Sequence, residues 1–416
     1  MSRPDAARTS SAYQEALAWL YQTQRFGIKL GLENMQRLLR ELAIPHKSGR
    51  ILHVAGTNGK GSVCAMIDAI SRAQGYRTGL FTSPHLVTYR ERIQVDGEMI
   101  GEKKVADGLG AIRELIKDWE PHPTFFEITT ALALIHFKER DCEVIALETG
   151  LGGRLDATNA TQPAVSVITP IGFDHQAWLG NKLEEIAAEK AGIIKGRTPV
   201  VSAAQEPAAE KTIRARAAEC EAPLEFITQP YAKTPLALAG IHQKKNASLA
   251  IAALRAAGIA VEEKAVAQGL IDVRWPARFQ RWNERMIIDG AHNPAGAHAL
   301  AETWRAEFGE ERATIVLAVL GDKDIAGIWQ ALAPFARRLI LSRARNPRAL
   351  TPDRINEIVR AASPNVETSI ADSFLIALEQ ARMHPERILI TGSLHFAGEA
   401  LAILGERPAA FEECAQ

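Results

Sequence analysis

Cysteine is scarce in this chain: four thiols, Cys64, Cys142, Cys220 and Cys414, are scattered through 416 residues. None has the paired spacing of a zinc site or a redox CxxC motif, and no disulfide framework is implied. The simplest reading is a reduced, cytoplasmic protein with structural thiols. Net charge is also missing, because 49 Lys and Arg balance 49 Asp and Glu. No broad field would draw the chain to nucleic acid or to an anionic membrane, so neither partner is expected. Long hydrophobic runs are absent, and no stretch approaches the roughly 20 apolar residues of a membrane span. The segment from Met1 to Ser11 is polar and lacks the apolar centre of a signal peptide. Internal repeats and low-complexity tracts are absent too, and nothing suggests a symmetric apolar patch, so a monomer is expected.

What is present is a globular composition, 47% hydrophobic and 24% charged, in a chain long enough for two cores. Helical spacing covers Ala12 to Thr23 and Leu32 to Ala43. A short strand, Ile51 to Ala55, runs through a Gly-rich turn into a helix from Ser62 to Ala73. Strand-like segments follow at Thr78 to Thr82, Glu143 to Glu148, Val165 to Thr169 and Pro199 to Ala203. Helical ones lie at Phe125 to Phe137, Lys182 to Ala191 and Ala247 to Ala257, and Asp96-Gly97 marks a hairpin within Arg92 to Ile100. The alternation predicts an α/β domain with a mostly parallel sheet. The stretch DVRWPARFQ, Asp272 to Gln280, breaks the pattern, and a second alternation begins beyond it. Its strands are expected at Met286 to Asp289, Thr314 to Leu320, Arg338 to Ser342 and Arg387 to Thr391. The expected architecture is an N-terminal P-loop ATPase domain, residues 1–275, and a smaller C-terminal Rossmann-like α/β domain, residues 276–416.

The sharpest motif is Gly56-Thr57-Asn58-Gly59-Lys60-Gly61-Ser62, between an apolar strand and a helix. Small residues let backbone N–H groups gather around a phosphate, and the helix N-terminus adds partial positive charge. Lys60 supplies a cation for the β- and γ-phosphates, and Ser62 a hydroxyl for magnesium. The standard pattern is not met in full: Val54 stands at its first Gly, and Gly61 separates the Lys from the Ser. The plainer alternative is a Gly-rich turn with a solvent-facing Lys.

GTNGKGS is the form found in folylpolyglutamate synthases, with close relatives across the Mur ligases. Further stretches resemble that family in the family's own order: Ser83 in FTSPH, Glu148 in ALETGLGGRLDATN, His175 in GFDHQAWLG, Lys190 in AAEKAGIIK, Asn246 in HQKKNASLA, Arg278 in ARFQ, and Asp289 and His292 in DGAHNP. The resemblance implies the bifunctional dihydrofolate synthase/folylpolyglutamate synthase activity. L-Glutamate would be joined through an acyl phosphate to 7,8-dihydropteroate and then to reduced folates, with ATP consumed to ADP. It further implies that Thr57, Asn58, Gly59, Lys60, Gly61, Ser62, Asn246, Arg278 and Asp289 bind ATP. One Mg2+ would be held by Ser62 and Glu148, and a second by Ser83, Glu148 and His175. Lys190 would carry a carbamate from CO2, and Asp289 and His292 would assist the attacking amine. Pterin contacts are implied at Ile28, Lys29 and Leu30, at Thr124, Phe125, Phe126 and Glu127, and at Leu155, Asp156 and Ala157. Ala277 departs from the family, which has Gly there.

Read without the family, these residues carry plainer alternatives. Glu148 ends the apolar run VIALE where parallel sheets bind ligands, and a carboxylate there suits a hard metal ion; the blander alternative is a strand-end Glu facing water. Gly150 and Gly152 begin a dinucleotide fingerprint that fails at Leu155, and Asp156 and Asn159 imply a non-helical loop. His175 alone is a satisfied loop histidine, and Ser83 a turn residue before Pro84. Lys190 reads as a solvated helix face, and Phe125 and Phe126 as helix core. The rival functions are a single one of the two activities, a cell-wall peptide ligase, or an ATP-gated module without ligase chemistry.

Overall fold

A computed structural model describes residues 3–27, 31–44, 49–407 and 410–412, and of residues 3–10, 25 and 26 only the backbone course. The expected pterin contacts Ile28, Lys29 and Leu30, and also Cys414, lie outside the described residues. The chain divides into two compact units. The first comprises Met1–Ser83, Arg90–Pro235 and Lys245–Val273; the second comprises Pro84–Tyr89, Leu236–Lys244 and Arg274–Gln416.

The first unit is built on eight strands: β1 Arg50–Ala55, β2 Thr78–Phe81, β3 Ile93–Val95, β4 Glu98–Met99, β5 Val144–Glu148, β6 Val165–Ile168, β7 Val200–Ala203 and β8 Leu224–Ile227. Their order is β4-β3-β2-β5-β1-β6-β7-β8. All pairings are parallel except the hairpin edge, β2 with β3 and β3 with β4. The central strands are buried along nearly their whole length, as a parallel sheet covered on both faces requires. Asp96 and Gly97 both take positive φ, 54° and 82°, so the expected hairpin forms with the twist-compatible turn.

The second unit holds β9 Gln280–Arg281, β10 Met286–Ile288, β11 Ala313–Leu317, β12 Ala336–Ser342, β13 Glu367–Ala371 and β14 Arg387–Thr391, in the order β13-β12-β11-β14-β10-β9. Alternate side chains feed two cores. Ile287, Ile315, Leu317, Leu339, Leu341 and Leu389 pack with Trp304 and Trp329 on one face. Met286, Ile288, Val316, Ile340, Ile388 and Ile390 pack with Phe374 and Phe396 on the other.

Several expectations need correction. The first helix begins at Arg3 rather than Ala12, and the strand expected to reach Leu320 ends at Leu317. Beyond Leu317 the chain turns into a loop that keeps one isolated bridge, Leu320 with Ala349. The segment after Asp156 is one turn of 3-10 helix, Ala157–Ala160, because the Asp156 carboxylate caps it at Thr158 N. Among the described residues no helix is long and apolar enough to cross a membrane. Cys64, Cys142 and Cys220 are free thiols.

Candidate active site

In the first unit the parallel order β2-β5-β1-β6 brings four loops to one edge of the sheet. Ser83 follows β2, Glu148 ends β5, the glycine-rich loop follows β1, and His175 lies in the segment after β6. Register sets Val54 beside Glu148, two residues ahead of Gly56. Glu148 is buried, and its Oε2 accepts the backbone N–H of Ser83 at 3.0 Å, so it does not face water as the plainer reading allowed.

The loop's geometry depends on glycine at two positions. Gly56 has φ 148°, and a Cβ there would collide with Thr169 and stand 3.0 Å from the Thr169 carbonyl. Gly59 has φ 91° and caps the helix Lys60–Gln74, with Asn246 Oδ1 2.8 Å from where its Cβ would be. Thr57 N and Asn58 N both donate to Pro170 O, at 3.0 and 3.3 Å. The first-turn amides of the helix, which have no carbonyl within the helix to meet, are therefore the ones suited to phosphate. Ser62 is buried in that turn. Gly56→Ala is expected to cost about 1–3 kcal/mol from the strained backbone alone, read as a shifted urea midpoint.

Lys190 is not solvated. It is 5% exposed on the helix Leu183–Ala191, and its Nζ donates to Gly56 O at 2.8 Å. Burial first, and then the charge of Lys60, bring its pKa down to about 7. Lys60 Nζ makes a long bond to Thr57 O, 3.4 Å. His175 sits in a left-handed conformation, φ 53°, ahead of a short helix Gln176–Leu179; its N–H donates to Asp174 Oδ1 and its ring is partly exposed. Asn246 is buried beside Gly59.

Metal binding can be judged from donor types. Among the described residues no three His, Cys, Asp or Glu side chains form a ready metal cluster. Ser62, Ser83 and Glu148 offer hard oxygen donors, which suit Mg2+ when the rest of its shell is water and phosphate; imidazole suits it less.

The expected pterin stretches carry structural bonds of their own. Thr124 and Glu127 form a capping box: Glu127 Oε2 accepts Thr124 N at 2.7 Å and Oγ1 at 2.8 Å. Phe125 is buried and stacks on Tyr21 at 5.6 Å. Phe126 leans on Phe81 and lies so close over Gly150 that a Cβ there would be 2.5 Å from its ring. Asp156 and Ala157 are buried, and Leu155 is partly exposed. A cavity of about 480 Å³ lies off this set, lined by Leu32, Gln36, Asn159–Gln162 and Lys195.

In the second unit, Asp289 is tied to its own backbone. Oδ2 accepts Phe279 N at 2.7 Å and Oδ1 accepts Ala291 N at 2.8 Å, while burial pushes its carboxyl up. His292 Nδ1 lies 2.8 Å from Gly290 O, a carbonyl that can only accept, so Nδ1 carries a proton. Arg278 Nη1 donates to Ala277 O. Ala277 has φ 55°, so the backbone keeps the left-handed turn that Gly would form without strain.

Sequence reasoning missed a cationic group at the ends of β11, β12 and β14. The Lys323 side chain is 7% exposed and 3.4 Å from Asp322. Arg348 pairs with Asp322 at 2.9 Å, and Arg345 with Glu399 at 3.4 Å. His395 Nε2 meets Arg345 O at 2.6 Å. The charged run Arg343 to Arg348 directly after a strand was the available signal.

The family model of the Mur ligase middle domain matches residues 54–225, and that of the Mur ligase glutamate ligase domain matches 277–394. The dihydrofolate synthase/folylpolyglutamate synthase of Bacillus subtilis is 35% identical, over 94% of this chain and 98% of its own. Among solved structures, folylpolyglutamate synthase of Mycobacterium tuberculosis, complexed with ADP and AMPPCP, superposes with a TM-score of 0.87 at 32% identity, covering 95% of this chain and 99% of that one. A bifunctional folylpolyglutamate synthase/dihydrofolate synthase with Mn, AMPPNP and L-glutamate bound gives 0.84 at 31% identity, over 94% and 98%. With both ligase domains matched and relatives similar over nearly the whole length, this chain belongs to the dihydrofolate synthase/folylpolyglutamate synthase family of Mur ligases.

Proposed function

We propose that this chain is an ADP-forming ligase that joins L-glutamate to 7,8-dihydropteroate and adds further glutamates to reduced folates. The observation that supports this most is the meeting, in one unit, of the glycine-rich loop, Ser83 and Glu148 on adjacent parallel strands, with Lys190 bonded to the loop itself. The relatives' names support the same reading: a dihydrofolate synthase/folylpolyglutamate synthase, and synthases bound to ADP and AMPPCP or to Mn, AMPPNP and L-glutamate.

Residues 1–275 are read as the nucleotide- and pterin-binding domain and residues 276–416 as the glutamate-ligase domain. Ser62 and Glu148 would hold one Mg2+, and Ser83, Glu148 and His175 a second. The chemistry such ions supply when bound is positive charge against the phosphoryl oxygens. The pterin carboxylate attacks the γ-phosphorus; a P–O bond forms, the bridging bond to ADP breaks, and an acyl phosphate results. Lys60 neutralises the charge that develops on the transferred group, and the first-turn amides orient it. The amine of glutamate then attacks the acyl carbon, phosphate leaves with the C–O electron pair, the amine gives up its proton to solvent, and Asp289 and His292 are read as assisting that amine. Glutamate brings two carboxylates, for which Lys323, Arg345 and Arg348 are candidate partners. Lys190, buried and readily neutral, is suited to react with CO2, giving a carbamate and one proton. No nucleic-acid or membrane partner is inferred, and the chain is read as a cytoplasmic monomer.

The test is ADP release with ATP, Mg2+ and glutamate, with and without dihydropteroate, then with and without a reduced folate. Release that requires glutamate and dihydropteroate together supports the synthase, and a second signal with the folate supports both activities. Release unmoved by either pterin would overturn the substrate assignment and favour cell-wall precursors.

A further inference from the structure

β1 carries a histidine within an apolar run, RILHVA, three residues ahead of Gly56. The His53 ring is fully buried, and its Nε2 lies 2.8 Å from Thr158 Oγ1. Thr158 Oγ1 is in turn 2.5 Å from Asp156 Oδ1. A carboxylate can only accept, so the threonine hydrogen points to Asp156 and His53 donates from Nε2. Nδ1 then carries the lone pair and meets no hydrogen-bond partner among the described residues. Burial, and secondarily the charge of Lys195, bring the imidazole pKa down to about 3, so the ring is neutral at every working pH.

The chain of bonds continues. Asp156 Oδ2 accepts Gly150 N and Leu151 N, each at 3.0 Å, and Oδ1 also accepts Thr158 N at 3.0 Å. Burial raises the Asp156 carboxyl against these hydrogen bonds, which favour its ionised form. A valine or isoleucine would fill the His53 position without burying an unpaired nitrogen, so packing alone does not account for histidine there. What histidine adds is a directed donor to Thr158.

We propose that His53 is a positioning residue: through Thr158 and Asp156 it locks the Gly150–Ala157 loop to the strand that feeds the phosphate loop. The loop is thereby set for the pterin substrate, whose carboxylate must meet the γ-phosphoryl group. This rests on the pterin reading above. Both Asp156 oxygens are engaged by the loop amides and by Thr158.

The experiment compares His53→Ala, His53→Gln, Thr158→Val and the His53→Ala/Thr158→Val double variant. His53→Ala and Thr158→Val should each raise KM for dihydropteroate about tenfold, with KM for ATP within twofold. The double variant should be no worse than either single one, because both break one chain. Glutamine can donate from a similar reach, so His53→Gln should restore most of the loss. Additive effects, a parallel rise in KM for ATP, or no rescue by glutamine would overturn the proposal. Amide hydrogen exchange separates its failure from that of the pterin reading. Exchange at Gly150 and Leu151 should quicken about tenfold in His53→Ala without any substrate, and unchanged exchange would overturn the relay even if the wild-type enzyme uses dihydropteroate. Quickened exchange in a chain that ignores dihydropteroate would leave the relay standing and remove only the substrate.

Discussion

Lys60→Ala lowers kcat for ADP formation by about 10²–10³-fold, the usual cost of losing one group aimed at developing charge. The nearest bond of Lys60 is long, 3.4 Å to Thr57 O, and the residue opens a helix whose packing involves Val63, Met66, Ile67 and Ile70. Stability should therefore change little, and circular dichroism melting would report a fold near that of the parent. Lys60→Arg should not restore turnover, because a planar guanidinium does not replace a compact ammonium in a narrow loop. A variant that kept kcat within threefold would remove Lys60 from the phosphoryl step.

Lys190→Ala should lower turnover about 10²-fold, with partial recovery when a short carboxylate such as formate is added to the assay. Formate would replace an anionic oxygen lost with the carbamate. The pH dependence carries a definite sign. With a folded pKa of about 7, the amine able to react with CO2 rises from about one chain in ten at pH 6 to about nine in ten at pH 8. With dissolved CO2 held equal, enzyme stripped of CO2 should recover activity slowly at pH 6 and faster at pH 8. Between pH 7 and about 10 the unfolded chain holds a proton that the folded one lacks, so this group adds stability as pH rises through that window. A neutral-pH crystal with an unmodified Lys190, together with a fully active Lys190→Met variant, would end the carbamate reading.

The parts of the site legible in the sequence were those written in contiguous motifs. The glycine-rich loop stands between a strand and a helix, and Glu148 ends a strand, so local pattern placed both. Lys190 was not legible from its surroundings: a helix of Ala and Glu looks solvated, and only the fold shows that it faces the Gly56 carbonyl. Thr124, Glu127 and Asp156 could be picked out by resemblance, but their bonds to caps and loop amides appear only once the chain is folded. The strands β8 and β13 lie at sheet edges with half-exposed or exposed residues, LEFI and ETSIA, and so lack the apolar run that marks the central ones. In the second unit the expected strands β10, β11, β12 and β14 were readable because they are central and nearly continuous in apolar residues.

The pairing of β1 with β5 joins segments roughly ninety residues apart, Arg50 with Val144 through Val54 with Glu148. Such a contact is reached only after a long loop has closed, and its reward comes late on the folding route. The glycine-rich loop is made early by the ribosome, whereas the carboxylate beside it arrives only when β5 has emerged and inserted between β1 and β2. A nascent or partly folded chain therefore holds a phosphate loop without its acidic neighbour, and nucleotide capture with a metal becomes a property of the completed sheet.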